Sequence, residues 1–258
     1  DVVDASAFTT RNVVVGPLWN SSGTSIGLQT RGREAHLFDG VELYCDRPLV
    51  IGDNPNSTID CDHYHFTNIY ITVPVGVSRP CIEVLTGVNL SNVTFDGYQA
   101  WVGGTNGFYW VDTTTVGISQ QISFKNARSE GLTSATGHVF DIQHNTNIQG
   151  LRIENCSGGL NALGIKLRKV IGATIADSFT LNTSGLSLDV DSTVDALTII
   201  NLFIQSSGTV DFGTLRRLYD AGPGSMASAS MAFAVFGREA TINAARVDVP
   251  LMGTGQSI

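Results

Sequence analysis

Leu151-Arg-Ile153-Glu-Asn155 contains the pattern that decides the fold: apolar, polar, apolar, polar, then an amide. Alternation with period two describes a strand with one buried face. The same pattern is read in Ile69-Tyr-Ile71-Thr-Val73, Val93-Thr-Phe95-Asp-Gly97, Ile122-Ser-Phe124-Lys-Asn126, Ala173-Thr-Ile175-Ala-Asp177 and Leu197-Thr-Ile199-Ile-Asn201. In chain order the six copies step by 24, 29, 29, 22 and 24 residues. Self-similarity on that scale marks a solenoid, whose repeats bury their apolar face only by stacking. No helical spacing is sustained between the copies. The repeat is therefore a parallel β-helix and the class is all-β.

A second strand follows each of the first five copies: Cys81 to Leu85, Phe108 to Asp112, Val139 to Gln143, Gly164 to Arg168 and Ser187 to Asp191. The closing residues Asn126, Asn155, Asp177 and Asn201 of four copies are placed to cap a turn and stack from coil to coil. Around this core the sequence divides into residues 1–40, an N-terminal cap with the first irregular coils, 41–205, the β-helix, and 206–258, a capping or oligomerisation segment. Phe8, Leu18 and Trp19 are assigned to the cap. The uncharged stretch Met226 to Phe236 is expected to be covered by a symmetric partner.

Composition agrees with this class. Only 15% of the 258 residues are charged, and 28 are Gly, which suits a turn-rich chain. The net charge of −8, with no Lys/Arg cluster, excludes a phosphate-binding surface for nucleic acid. No apolar run is long enough for membrane insertion. The start at Asp1, with neither Met nor a signal segment, reads as a processed or excised piece. Cys45, Cys61, Cys81 and Cys156 lack metal or redox spacing and are expected as buried thiols. Disulfides in a secreted protein are the alternative, with glycosylation sequons at Asn20, Asn56, Asn89, Asn92, Asn155 and Asn182.

Placing the second strands in register puts Glu83, Trp110, Asp141, Lys166 and Asp189 in one outward column. Leu85, Asp112, Gln143, Arg168 and Asp191 form its neighbour. One reading is a ladder of alternating charge from Asp141 downward. The sharper reading is an outward Trp110 among Glu83, Asp112 and Asp141, because an indole covers the apolar side of a pyranose while carboxylates bind hydroxyls or act as acid and base. Glu83, Asp112 and Asp141 are then the catalytic candidates, with Trp110, Gln143, Lys166 and Asp189 binding substrate. Glu83 and Asp141, two coils apart, approach the carboxyl separation of an inverting glycosidase. Cys61, His63 and His65, read on one strand face, are the only metal candidates, but His-x-His is too weak a signal, so no metal or cofactor is assigned. His36, His138 and His144 have no evident partner. Nucleophile-elbow, phosphate-loop and H-E-x-x-H motifs are absent.

The repeat, its Asn-rich turns and its Gly/Ser-rich loops over residues 40–205 resemble the pectate-lyase-like right-handed β-helix, and bacteriophage tailspikes in particular. That resemblance implies a homotrimer in the phage virion, assembled in the host cytoplasm beside other virion proteins. A long groove would bind a host surface polysaccharide and cleave it with Asp and Glu. The Asn-Thr-Asp, Asp-Asp and Gly-His-Gly motifs of polygalacturonases are absent, which disfavours a pectinase. A non-catalytic structural virion protein and a secreted carbohydrate-active protein are the alternatives.

Overall fold

The computed structural model describes residues 8–18, 24–32, 35–52, 59–101, 105–114, 117–130, 137–159, 163–181, 186–191, 193–205, 209–214, 218–219, 232–235 and 242–246, with side chains described for part of these and none beyond 199. Among the described residues there is no helix, and every strand pair is parallel. The fold is a parallel β-solenoid.

Each coil runs through four faces. In one coil, Tyr64–Thr67 lies on face I, Tyr70–Thr72 on face II, Ile82–Val84 on face III, and residues 88–91 of Val88–Asp96 on face IV. The chain then re-enters face I one coil on, where His65 pairs with Thr94 and Phe66 with Phe95. Face I continues through Ile122↔Leu151, Ile153↔Ile175 and Ile175↔Ile199. Five of the six sequence copies occupy face I. The first, Ile69 to Val73, lies on face II, where Tyr70–Thr72 pairs with residues 42–44. Its face I counterpart is Tyr64-His-Phe66-Thr-Asn68, which restores a step of 29 residues before Val93.

The interior of face I is an aromatic ladder. Phe38, Phe66, Phe95 and Phe124 stack with ring centroids 4.9, 4.7 and 5.0 Å apart and interplanar angles of 5 to 7°. Parallel in-register strands bring identical side chains over one another at the strand spacing of about 4.8 Å, which sets this geometry. Ile153, Ile175 and Ile199 continue the column, all buried.

Two of the four corners are made by single residues in the left-handed region. Between faces IV and I these are His63, Asn92, Gln121, Gly150, Gly172 and Ala196. Between faces I and II they are Asn12, Gly40, Asn68, Gly97, Asn126, Asn155 and Asp177. Asn, Asp and Gly tolerate this conformation best, which is why they recur there. The predicted stacking of turn amides is present. Asn155 Nδ2 donates to Asn126 Oδ1 at 2.7 Å and Asn126 Nδ2 to Asp96 Oδ1 at 2.8 Å. The side chain of Asn201 lies outside the described residues.

Within residues 1–40, read as a cap with the first irregular coils, Phe8–Leu18 is a strand in parallel register with His36–Cys45. Trp19 lies outside the described residues. Beyond 205, Thr209–Thr214, Leu218–Tyr219, Ala232–Val235 and Ile242–Arg246 keep the parallel pairing, so strand stacking extends into the segment read as non-repeating. Most of Met226 to Phe236 lies outside the described residues.

All four cysteines are free and buried. Burial pushes the thiols of Cys45, Cys81 and Cys156 up to about 12 and that of Cys61 to about 11, so they are core side chains without thiolate chemistry. The amides of Asn89, Asn92 and Asn155 are spent on hydrogen bonds to Asp60, Asp62 and Asn126. Structural bonding therefore explains those three sequons.

Candidate functional site

The outward side of face III carries most of the residues singled out from the sequence, with one shift of register. Tyr109, not Trp110, stands beside Glu83 and Asp141. The column reads Val50, Glu83, Tyr109, Asp141, Lys166, Asp189. A one-residue slip in a strand exchanges its two faces, and it affects only Phe108–Val111. Trp110 therefore points inward and is fully buried, packed edge-on against His144 at 5.2 Å between ring centroids. It cannot stack on a sugar.

The same slip moves Asp112. Val111 takes its expected place beside Gln143, and Asp112 lies past the strand end with none of its side chain exposed. Its Oδ1 accepts from Thr86 Oγ1 at 2.9 Å and from the Thr114 amide at 2.9 Å, and its Oδ2 lies 3.8 Å from His144 Nε2. The Thr146 amide donates to His144 Nδ1, which leaves the Nε2 proton facing Asp112 and Ser119 Oγ, the latter 3.4 Å away. Both acceptors lie on the same ring nitrogen and the Ser119 hydroxyl is buried, so this is a structural knot and not a nucleophilic triad. Asp112, expected as a catalytic residue, is thus closed off from any ligand on the outer face.

Glu83 and Asp141 keep their outward positions. Glu83 is held by Arg47, whose Nη2 lies 2.7 Å and Nε 2.9 Å from Oε2. Asp141 Oδ1 accepts from Gln143 Nε2 at 2.7 Å, and its Oδ2 lies 3.7 Å from His138 Nδ1. Their side chains are 15% and 11% exposed. Two coils separate them, which at the parallel-strand spacing is about 9.6 Å between backbones. Tyr109, half-buried, lies between. Burial first, then the Asp141 and Glu83 charges, raise its phenol above the ordinary value, so its hydroxyl stays protonated. His138 is lowered by burial, an effect that Asp141 opposes.

Below Asp141 the expected charge ladder is present. Arg168 Nη2 lies 2.6 Å from Asp189 Oδ1 and Arg168 Nε 3.1 Å from Asp191 Oδ2, while Lys166 sits between the Asp141 and Asp189 strands. Arg168 thereby occupies Asp189, one of the expected binding residues, from the side.

The metal reading of Cys61, His63 and His65 fails on geometry. His63 has φ of +57° and turns the corner, so Cys61 faces the core while both histidines are exposed. Among the described residues no cluster of three or more His, Cys, Asp or Glu is positioned to hold a metal ion. His36 packs against Tyr64 at 4.6 Å, so all three histidines that lacked a partner in the sequence have neighbours in the fold.

Tyr109 is the residue that sequence reasoning missed. The signal was in register: Phe108 aligns with inward Ile82 and Phe140, which sets Tyr109 outward. No protein-family model, curated protein or solved structure matches the chain.

Proposed function

We propose that the protein is a glycan-binding β-helix of the tailspike type that holds a host surface polysaccharide along face III. Tyr109 carries this reading. It is an outward aromatic ring flanked one coil to either side by carboxylates, each fixed by a neighbouring side chain. The ring offers an apolar face to the C–H side of a pyranose, and its protonated hydroxyl and the carboxylates offer hydrogen bonds to sugar hydroxyls. Gln143 and Lys166 extend the polar contacts along the coil stack. Virion location and a homotrimer come with the resemblance of the repeat to tailspikes, and several arms on one particle would add avidity to weak glycan contacts.

Hydrolysis is a second reading, favoured by the separation of Glu83 and Asp141. About 9.6 Å between backbones brings their carboxyls near the upper end of the inverting range of roughly 6.5 to 9.5 Å. Glu83, held in place by Arg47, is placed for the base that activates water, and Asp141 for the acid on the leaving oxygen.

The test is incubation with a panel of bacterial surface polysaccharides, following both binding and chain shortening, with Glu83→Gln and Asp141→Asn alongside. Shortening that either substitution abolishes establishes a depolymerase. Binding without shortening leaves a receptor-binding arm. Neither, with hosts of a known parent phage included, transfers the protein to the structural virion class.

A further inference from the structure

Face II carries an aromatic strip that nothing so far uses. Tyr44 and Trp101 stand two coils apart in one outward column with Thr72 between them. Tyr70 occupies the intermediate coil in the adjacent column, between Glu42 and Gln99. The ring centroids of Tyr44 and Tyr70 are 5.9 Å apart. The Arg128 guanidinium lies 5.6 Å from the Trp101 ring and is paired with Glu130, the next residue in the Trp101 column. Tyr44 donates to Glu42 at 2.9 Å. All three rings are half-buried, while Glu42, Gln99 and Arg128 are exposed.

We infer that Tyr44, Tyr70 and Trp101 form a second binding track, for an uncharged pyranose chain lying along the solenoid axis. The rings advance one per coil, about 4.8 Å each, which is close to the length of one sugar unit. Each ring offers stacking area to the C–H side of a pyranose, and Thr72, Gln99 and Glu42 lie between the rings where hydroxyls would fall. Charge decides the class of ligand. Arg128 is neutralised by Glu130, and the remaining Glu42 would repel an acidic sugar. A protein partner is disfavoured because the cores of protein interfaces are depleted in Glu, whereas Glu42 stands exposed beside Tyr44 and Tyr70. The track shares no residue with face III and does not depend on the proposal made there.

Calorimetric titration of the full chain with cellohexaose, mannohexaose and laminarihexaose tests it, comparing Trp101→Ala, Tyr70→Ala and the face III variant Tyr109→Ala, with melting curves as the folding control. The expected result is binding of at least one hexasaccharide, weakened about tenfold in each face II variant, as loss of one aromatic contact implies. Absence of binding by all three sugars overturns the proposal, as does binding that both face II variants retain or that Tyr109→Ala alone removes. A smaller particle mass for Tyr70→Ala than for the parent in light scattering also overturns it, by assigning the strip to contact between copies.

Discussion

At the scale of single residues, Tyr109 faces outward and Trp110 lies in the core, where the sequence reading had one outward indole. Trp110→Ala is expected to cost about 3 to 5 kcal/mol in denaturant unfolding, as for other large aromatic side chains removed from a core. Tyr109→Ala, on the half-exposed face, should cost roughly 1 kcal/mol or less. The slip between them was legible only in the aromatic at 108. Tyr, Trp and Phe all satisfy an apolar position, so alternation inside Phe-Tyr-Trp-Val cannot fix which residues face inward. Histidines give a second residue-scale test. Burial is the leading cause that lowers His36, His138 and His144 below 6.5; at His144, Asp112 opposes the shift and Lys169 adds to it. In this window the unfolded chain binds protons that the fold refuses. Stability is thus full above about pH 6.5 and declines as pH falls through the lowered values. Urea unfolding between about pH 7.5 and 5.5 should show the decline, and His144→Gln should flatten it. A pH-independent midpoint would contradict the burial of these rings.

At the scale of elements, the corner between faces I and II is what the sequence announced most clearly. Asn126 and Asn155 were read as stacked turn residues because an amide closed successive copies, and the fold places both in the left-handed region within one hydrogen-bonded ladder. Asn126→Ala should cost about 1 to 2 kcal/mol, from left-handed strain and the lost ladder bonds, while Asn126→Gly should recover the strain component. Thermal melts of the two variants separate these contributions. The Phe38, Phe66, Phe95 and Phe124 ladder is less legible, because the Ile69 copy of the pattern lies on face II and interrupts the period of 29. More than one strand in each four-faced coil alternates, so periodicity alone does not say which strand belongs to which face. Phe66 and Phe95 should be coupled by about 0.5 to 1.5 kcal/mol in a double-mutant cycle, the range for stacked aromatic pairs. Additive effects would mean that the rings contribute only by burial.

At the scale of the whole molecule, the solenoid makes one-dimensional surfaces. Each outward position becomes a row along the axis, such as Glu83, Tyr109, Asp141, Lys166 and Asp189. The all-β parallel architecture was legible in the sequence, because stacking is the one way a helix-free repeat buries its apolar face. The inward direction of Trp110 and the burial of Asp112 were not, since both depend on where one strand starts relative to its neighbours. A ligand on face III must touch Tyr109, whereas Trp110 lies one residue away behind the sheet. The most direct measurement is therefore the affinity of Tyr109→Ala and Trp110→Phe for a bacterial polysaccharide that the parent protein binds. The account predicts about tenfold weaker binding for Tyr109→Ala, with its melting temperature kept, and parental binding for Trp110→Phe. Parental affinity in Tyr109→Ala would contradict it.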